Sequence, residues 1–368
     1  MSSSASVRPS PGGAGGSGFA LRVAYAAVPV TADPRAENVP GAAAALDWEA
    51  TLAFRRHLWS LGFGVAEAMD TAQRGAGLDY AATRELIRRS AAEARAVGGR
   101  IVAGVGTDQL PSGPATLGDI RKAYAQQLED VQQAGAVPVL MCSRHLAATA
   151  RGPEDYRQVY GELIERADRK VLLHWLGEAF DPALAGYWGT DETVEEIIAA
   201  HADRIDGIKM SLLDAEREIA LRRRLPGSVR MYTGDDFNYP SLIKGDESGH
   251  SDALLGVLAT IAIPAAKAFQ ALDRGSTDEY DRILAPTVPL ARHLFAAPTY
   301  YYKVGIVFLN WLAGHQDHFV MVGGLQSGRS PAHLAKLIDL AFGAGALART
   351  DRTVARIQAW KTTVGWDR

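Results

Sequence analysis

The chain has 368 residues, 47% of them hydrophobic and 22% charged, with a formal net charge of -3. This is the composition of a globular protein with ample core-forming material, and no basic excess exists to drive binding to nucleic acid or to an anionic membrane surface. A single cysteine, Cys142, excludes an intrachain disulfide framework and a Cys-rich zinc site, and a reducing cytoplasm is the simplest expectation.

The opening "MSSSASVRPSPGGAGGSG" lacks an apolar core of signal-peptide length, and its Ser/Gly/Pro/Ala bias cannot bury enough surface to offset ordering entropy. Residues 1–19 are therefore expected to form a disordered tail. Eight short apolar runs follow: "LRVAYAAVPV", "FGVAEAM", "GRIVAGVG", "AVPVLMC", "KVLLHWL", "IDGIKMS", "SVRMYTG" and a segment within "SDALLGVLA". Helical patterns separate them. In "DYAATRELIRRSAAEARAVG", for example, Leu86, Ile87, Ala91 and Ala94 share one stripe and Gly98 stands where a helix stops. Eight such alternations predict a closed (β/α)8 TIM barrel over residues 20–275 rather than an open doubly wound sheet, and no GxGxxG turn follows the first strand. Residues 276–368 read as a C-terminal helical extension packed on the barrel. No apolar run reaches the ~18 residues of a membrane span; "ALLGVLATIAIPAAKAF" is interrupted by Pro264 and Lys267.

Active sites of such barrels lie at the C-terminal ends of the strands. Polar residues there are Asp70, Thr71, Gln73 and Arg74; Thr107 and Asp108; Ser143, Arg144 and His145; His174, Trp175 and Glu178; Lys209 and Ser211; and Tyr232, Thr233, Asp235 and Asp236. Helix capping explains many such residues equally well, Asp108, Ser211, Asp214 and Asp235 above all. Lys209 differs, because it falls inside the strand pattern "DGIKMSLLD". A buried lysine must find a counter-charge, Glu67 being the obvious inward carboxylate, or lose its proton. Desolvation can lower its pKa to ~6 or 7, leaving a neutral amine that attacks carbonyls.

In this order and spacing, "IVAGVGT", "GIKMS" and "YTGDD" resemble the third-, sixth- and seventh-strand motifs of the dihydrodipicolinate synthase and N-acetylneuraminate lyase group of class I aldolases. Segments such as "HWLGEAFDPALAGYWG" and "YTGDDFNYPSLIKGDESGHSDALLG" resemble, more specifically, the DUF993 branch of that superfamily. The resemblance implies a Schiff-base lysine at Lys209, a catalytic threonine at Thr71, no cofactor, and a homodimer or homotetramer. It also exposes departures. The family's "GTTGE" loop falls on "DTAQR", so Ala72 replaces the second threonine, and His174 occupies the slot of the proton-shuttling tyrosine.

An imidazole with an ordinary pKa of ~6.5 can shuttle protons at neutral pH. Catalysis is thus expected from Lys209, His174 and Thr71. Substrate contacts are expected from Asp70, Gln73, His145, Trp175, Glu178, Ser211, Thr233, Asp235 and Asp236, with Trp188, Phe237 and Tyr239 as apolar walls and Asn238 and His250 as further polar groups. The expected reaction is C–C bond cleavage or formation, or dehydration, on a keto-sugar or 2-oxo acid. Two alternatives stay open. His145, His174, Glu178 and Asp235 could hold a divalent metal for a lyase or isomerase, although no HxH or HExxH spacing concentrates ligands. A non-catalytic sugar-binding protein on an aldolase scaffold is the other.

Overall fold

The computed structural model describes residues 18–366, so the tail expected over residues 1–19 lies almost wholly outside the described residues. Phe19, at its end, stacks on Phe269 with ring centroids 4.7 Å apart and meets Phe63 edge-on.

Eight strands run β1 (Ala24–Ala27), β2 (Gly64–Glu67), β3 (Ile101–Val105), β4 (Val137–Leu140), β5 (Val171–Leu176), β6 (Ile205–Ser211), β7 (Arg230–Thr233) and β8 (Asp252–Leu255). All pair in parallel with their sequence neighbours, and β1 pairs with β8, which closes a (β/α)8 barrel. Each falls inside one of the eight apolar runs, including the eighth, whose signal is weakest in the sequence. Capping residues delimit the connecting helices. Asp79 accepts from Ala82 N at the start of Tyr80–Val97, which ends on Gly98 at φ 68°. Thr116 and Asp119 form a reciprocal capping box on Leu117–Ala134.

Side chains alternate along each strand between the barrel interior and the helical shell. Ala27, Ala66, Val102, Val139, Leu172, Tyr232 and Leu254 form one buried cluster, the interior layer. The other parity packs against the helices in the larger core. Beyond β8 come helices Ala262–Asp273, Thr277–Leu284, Thr287–Leu294, Tyr302–Ala313, Pro331–Gly343 and Asp351–Thr363. Tyr302–Ala313 is apolar nearly all round, the pattern of a helix buried on every side. Among the described residues no helix is long and apolar enough to cross a membrane.

Two buried polar arrangements support the barrel near its mouth. Arg55 and Glu67 are each fully buried and form a two-pronged ion pair, with Nε to Oε2 and Nη2 to Oε1 both at 2.9 Å. Arg55 Nη1 also donates to the carbonyls of Pro29 and Thr51, while Glu67 Oε1 accepts from Ala68 N. Ala68 has φ 50°, a backbone state that residues with a Cβ resist. The ion pair therefore anchors the turn through which β2 delivers Asp70 and Thr71. Behind β7, the Glu218 carboxyl on helix Ala215–Arg224 accepts from Thr233 Oγ1 at 3.0 Å and Ser251 Oγ at 2.7 Å. Burial pushes Glu218 up to about 8, the two hydroxyl donors offsetting this only in part.

Removing one partner of a buried, hydrogen-bonded ion pair leaves an uncompensated charge. Arg55→Met is therefore expected to cost about 3–5 kcal/mol by denaturant unfolding, and Arg55→Met/Glu67→Leu to recover much of that loss. A single variant within ~1 kcal/mol of wild type would contradict the anchoring role, since that is the range of an exposed pair. For Glu218 the sign follows from a raised folded-state pKa. The folded protein holds the proton up to about 8, whereas an unfolded glutamate releases it near ~4.3, so stability is lost as pH rises between those values. Wild-type stability should fall relative to Glu218→Gln from about pH 5 to pH 8; parallel stability curves would refute it.

Candidate active site

The register of β5 against β6 sets His174 beside Lys209 and Leu176 beside Ser211, so these four share the inward parity near the strands' C-terminal ends. The turn after β2 adds Asp70 and Thr71, the turn after β7 adds Asp236, and Gly256 follows β8. With Met69, Phe180 and Tyr302 they line one pocket at the mouth of the barrel, about 280 Å³ of empty space including its opening. Two glycines make room for it. A Cβ on Gly234 would stand 2.1 Å from Ser211 Oγ and 2.8 Å from Lys209 Cε, and one on Gly256 would meet Phe295 and Tyr302 at 3.1 Å.

Lys209 is 7% exposed and makes neither ion pair nor hydrogen bond among the described residues. Its expected alternative partner, Glu67, is taken by Arg55. Burial lowers the Lys209 pKa, and the nearby Asp236 and Asp70 carboxylates only partly restore it. Burial raises Asp236 in turn, against a hydrogen bond from Val257 N and the field of Lys209. The same low-dielectric surroundings thus disfavour the charged form of both groups and draw their two pKa values towards each other.

His174 is also buried. Its Nε2 lies 3.3 Å from Ser211 Oγ, while Nδ1 has no partner among the described residues. Burial, reinforced by the charge of Lys209, pushes its pKa well below the usual histidine value. The shift favours the neutral imidazole over the near-neutral titration expected from the sequence.

Thr71 Oγ1 and Tyr302 Oη lie 2.7 Å apart, both buried. Burial keeps Tyr302 protonated, its pKa well above the ordinary phenol value. The next residue, Lys303, has a fully buried side chain, donates to Asp70 Oδ1 at 3.1 Å, and lies 4.2 Å over the Tyr300 ring. Asp70 Oδ2 is buried with no well-formed hydrogen bond among the described residues. Over the pocket, Phe295 stacks on Tyr302 at 4.4 Å, and Phe180 meets both edge-on.

Six of the expected site residues, Asp70, Thr71, His174, Lys209, Ser211 and Asp236, converge in this pocket. The other six lie outside its lining, for identifiable reasons. Gln73, at φ 64°, turns away and donates to the carbonyls of Ala76 and Val322. His145 is spent on Thr107 Oγ1 and the Pro111 carbonyl. Trp175 has the outward parity and lies under the Arg217 guanidinium at 4.8 Å. Glu178 is exposed. Thr233 points to Glu218, and Asp235 receives the Phe237 and Asn238 backbone N–H groups and Asn238 Nδ2. Among the apolar walls expected, Trp188 packs on Tyr156, Tyr160 and Tyr187, and Tyr239 Oη bonds Thr287. Among the described residues no three of His, Cys, Asp and Glu are grouped to hold a metal ion; His145, His174, Glu178 and Asp235 do not converge.

Tyr302 and Lys303 were not among the residues expected from the sequence. The available signal was a lysine and three consecutive tyrosines opening the otherwise apolar run "YYYKVGIVFLNWLAG".

Comparison with solved structures finds the same fold at low identity. The dihydrodipicolinate synthase of Aquifex aeolicus matches with TM-score 0.69 and 14% identity over 90% of this chain and 100% of its own. That of Thermotoga maritima matches at 0.67 and 16% over 89% and 99%, and that of Oceanobacillus iheyensis at 0.67 and 15% over 87% and 96%. No curated protein sequence matches the chain. The family model described as "Protein of unknown function (DUF993)" matches residues 9–365, nearly the whole length, and the chain belongs to that family, on a barrel shared with dihydrodipicolinate synthases.

Proposed function

We propose that this protein is a Schiff-base-forming lyase, an aldolase-type enzyme that makes or breaks a C–C bond, or dehydrates, next to a ketone. The observation that carries this reading is Lys209 itself, a buried amine without an ion-pair partner among the described residues, at the C-terminal end of β6 in an enclosed pocket. A structural lysine would be paired, because an isolated buried ammonium is costly. The fold shared with dihydrodipicolinate synthases supports the same class.

In the proposed sequence the neutral Lys209 amine adds to the substrate carbonyl carbon. The resulting carbinolamine hydroxyl leaves as water after receiving a proton, and an iminium forms. The cationic nitrogen then takes up the electron pair released when an adjacent C–C or C–H bond breaks, giving an enamine, and protonation and hydrolysis return the amine. Protons travel through the hydrogen-bonded Thr71 and Tyr302 hydroxyls, with Asp236 in its acid form as a second donor. Neutral His174 accepts a hydrogen bond or a proton at the face it shares with Lys209. The aromatic cover of Phe180, Phe295 and Tyr302 limits hydrolysis of the iminium before the chemistry is complete.

Lys209→Arg supplies a permanent cation of similar reach but removes the nucleophile. It should abolish both turnover and borohydride trapping of a carbonyl substrate. Tyr302→Phe should lower turnover by about 10²-fold while leaving the trapped adduct detectable by intact mass. Wild-type turnover in Lys209→Arg would defeat the Schiff-base mechanism, and full activity in Tyr302→Phe would remove the phenol from the proton path.

A further inference from the structure

We infer that the pocket takes an uncharged, hydroxylated ketone and discriminates against 2-oxo acids, an inference that rests on Lys209 being the Schiff-base residue. Charge inventory carries it. The ionisable groups lining the pocket other than His174 and Tyr302 are the carboxyls of Asp70 and Asp236 and the amine of Lys209. Lys209 carries its positive charge into the iminium, on the substrate's own C=N bond, so no separate lining cation remains among the described residues to receive a substrate carboxylate.

The cations nearest the mouth are already committed. Lys303 is held by Asp70 Oδ1 and lies against the Tyr300 and Tyr302 rings. Arg144 pairs with Asp181. Arg74 is divided among Asp108, Gln127 and the carbonyls of Ala68 and Gly104. A carboxylate attached to the carbonyl carbon would enter beside Asp70, whose charge is shared with Lys303, and apart from the iminium itself it would find no uncommitted cation among the described residues to compensate its desolvation.

Hydroxyl groups meet the opposite situation. Asp70 Oδ2 is a buried acceptor with no well-formed hydrogen bond among the described residues, the Tyr302 hydroxyl being close to the same carboxyl, and His174 Nδ1 is buried and unpartnered as well. Both residues line the pocket, together with the hydroxyls of Thr71, Ser211 and Tyr302. A substrate hydroxyl donating to Asp70 Oδ2 satisfies an acceptor whose desolvation is otherwise compensated only in part. This lining is matched to a short polyhydroxylated ketone, with the amine adding to its carbonyl carbon and water leaving.

The test is borohydride trapping with dihydroxyacetone and with pyruvate on the intact wild-type protein. Label is assigned to Lys209 by peptide mass mapping, and each trapping rate is divided by that of Nα-acetyllysine to remove intrinsic reactivity. The expected result is a normalised preference for dihydroxyacetone at Lys209 of at least about ten-fold. A smaller preference, or faster labelling by pyruvate, overturns the substrate class while leaving the Schiff base intact. No label at Lys209 from either compound overturns the Schiff-base reading and this inference with it.

Discussion

An amine held inside a closed barrel, out of ion-pair reach of any carboxylate among the described residues, is the constraint around which the rest of the site is arranged. Lys209 can stay unpaired only if its neutral form is tolerated, and the surroundings that lower its pKa also raise that of Asp236. The two groups influence each other through the low-dielectric interior rather than through a formed ion pair. Several features of the chain follow from accommodating this arrangement. Gly234 leaves space for the lysine stem and for Ser211, while Glu67 is occupied by Arg55 and does not compete for the amine. His174, next to Lys209 across the strand pair, is pushed towards its neutral form by the same burial.

The C-terminal helices do more than pad the barrel. Helix Tyr302–Ala313 brings a phenol onto Thr71 and an ammonium onto Asp70 through its first two residues, and Phe295 of the preceding segment covers that phenol. The hydroxyl partner of Thr71 and the ammonium partner of Asp70 thus both come from outside the eight β/α units. His174, within β5, stands where the resemblance read from the sequence implies a tyrosine, and a phenol reaches the pocket from another part of the chain. The pocket is completed by the extension, so the extension and the barrel are read most economically as one functional unit.

Much of this was legible in the sequence. The eight strands could be read because each is a short apolar run bounded by helical pattern, and Lys209 stood out because a charge inside such a run demands an explanation. Strand parity could also have separated His174 from Trp175, since alternate residues face opposite sides and Lys209 fixes the inward set. Thr233 and Asp235 were harder, because the turn after β7 sends one to Glu218 and folds the other onto its own backbone, leaving Asp236 to face the pocket. Gln73 looked like a rim residue but serves the loop that contacts Val322. Tyr302 was hidden for a different reason: it lies 231 residues from Thr71, and no local pattern announces a contact of that range.

The claim on which the account depends most is that burial lowers the Lys209 pKa well below that of the surface lysines, so that a larger share of it is the free amine at any given pH. Competitive acylation with trace acetic anhydride across pH, read at Lys209 and at exposed lysines by peptide mass mapping, measures this without a substrate. The account predicts that Lys209 titrates at least about one unit below the ~10.4 of an ordinary lysine, with a pH profile displaced from those of its exposed counterparts. Titration together with the surface lysines would show an ordinary ammonium in the pocket and would contradict the account at its centre.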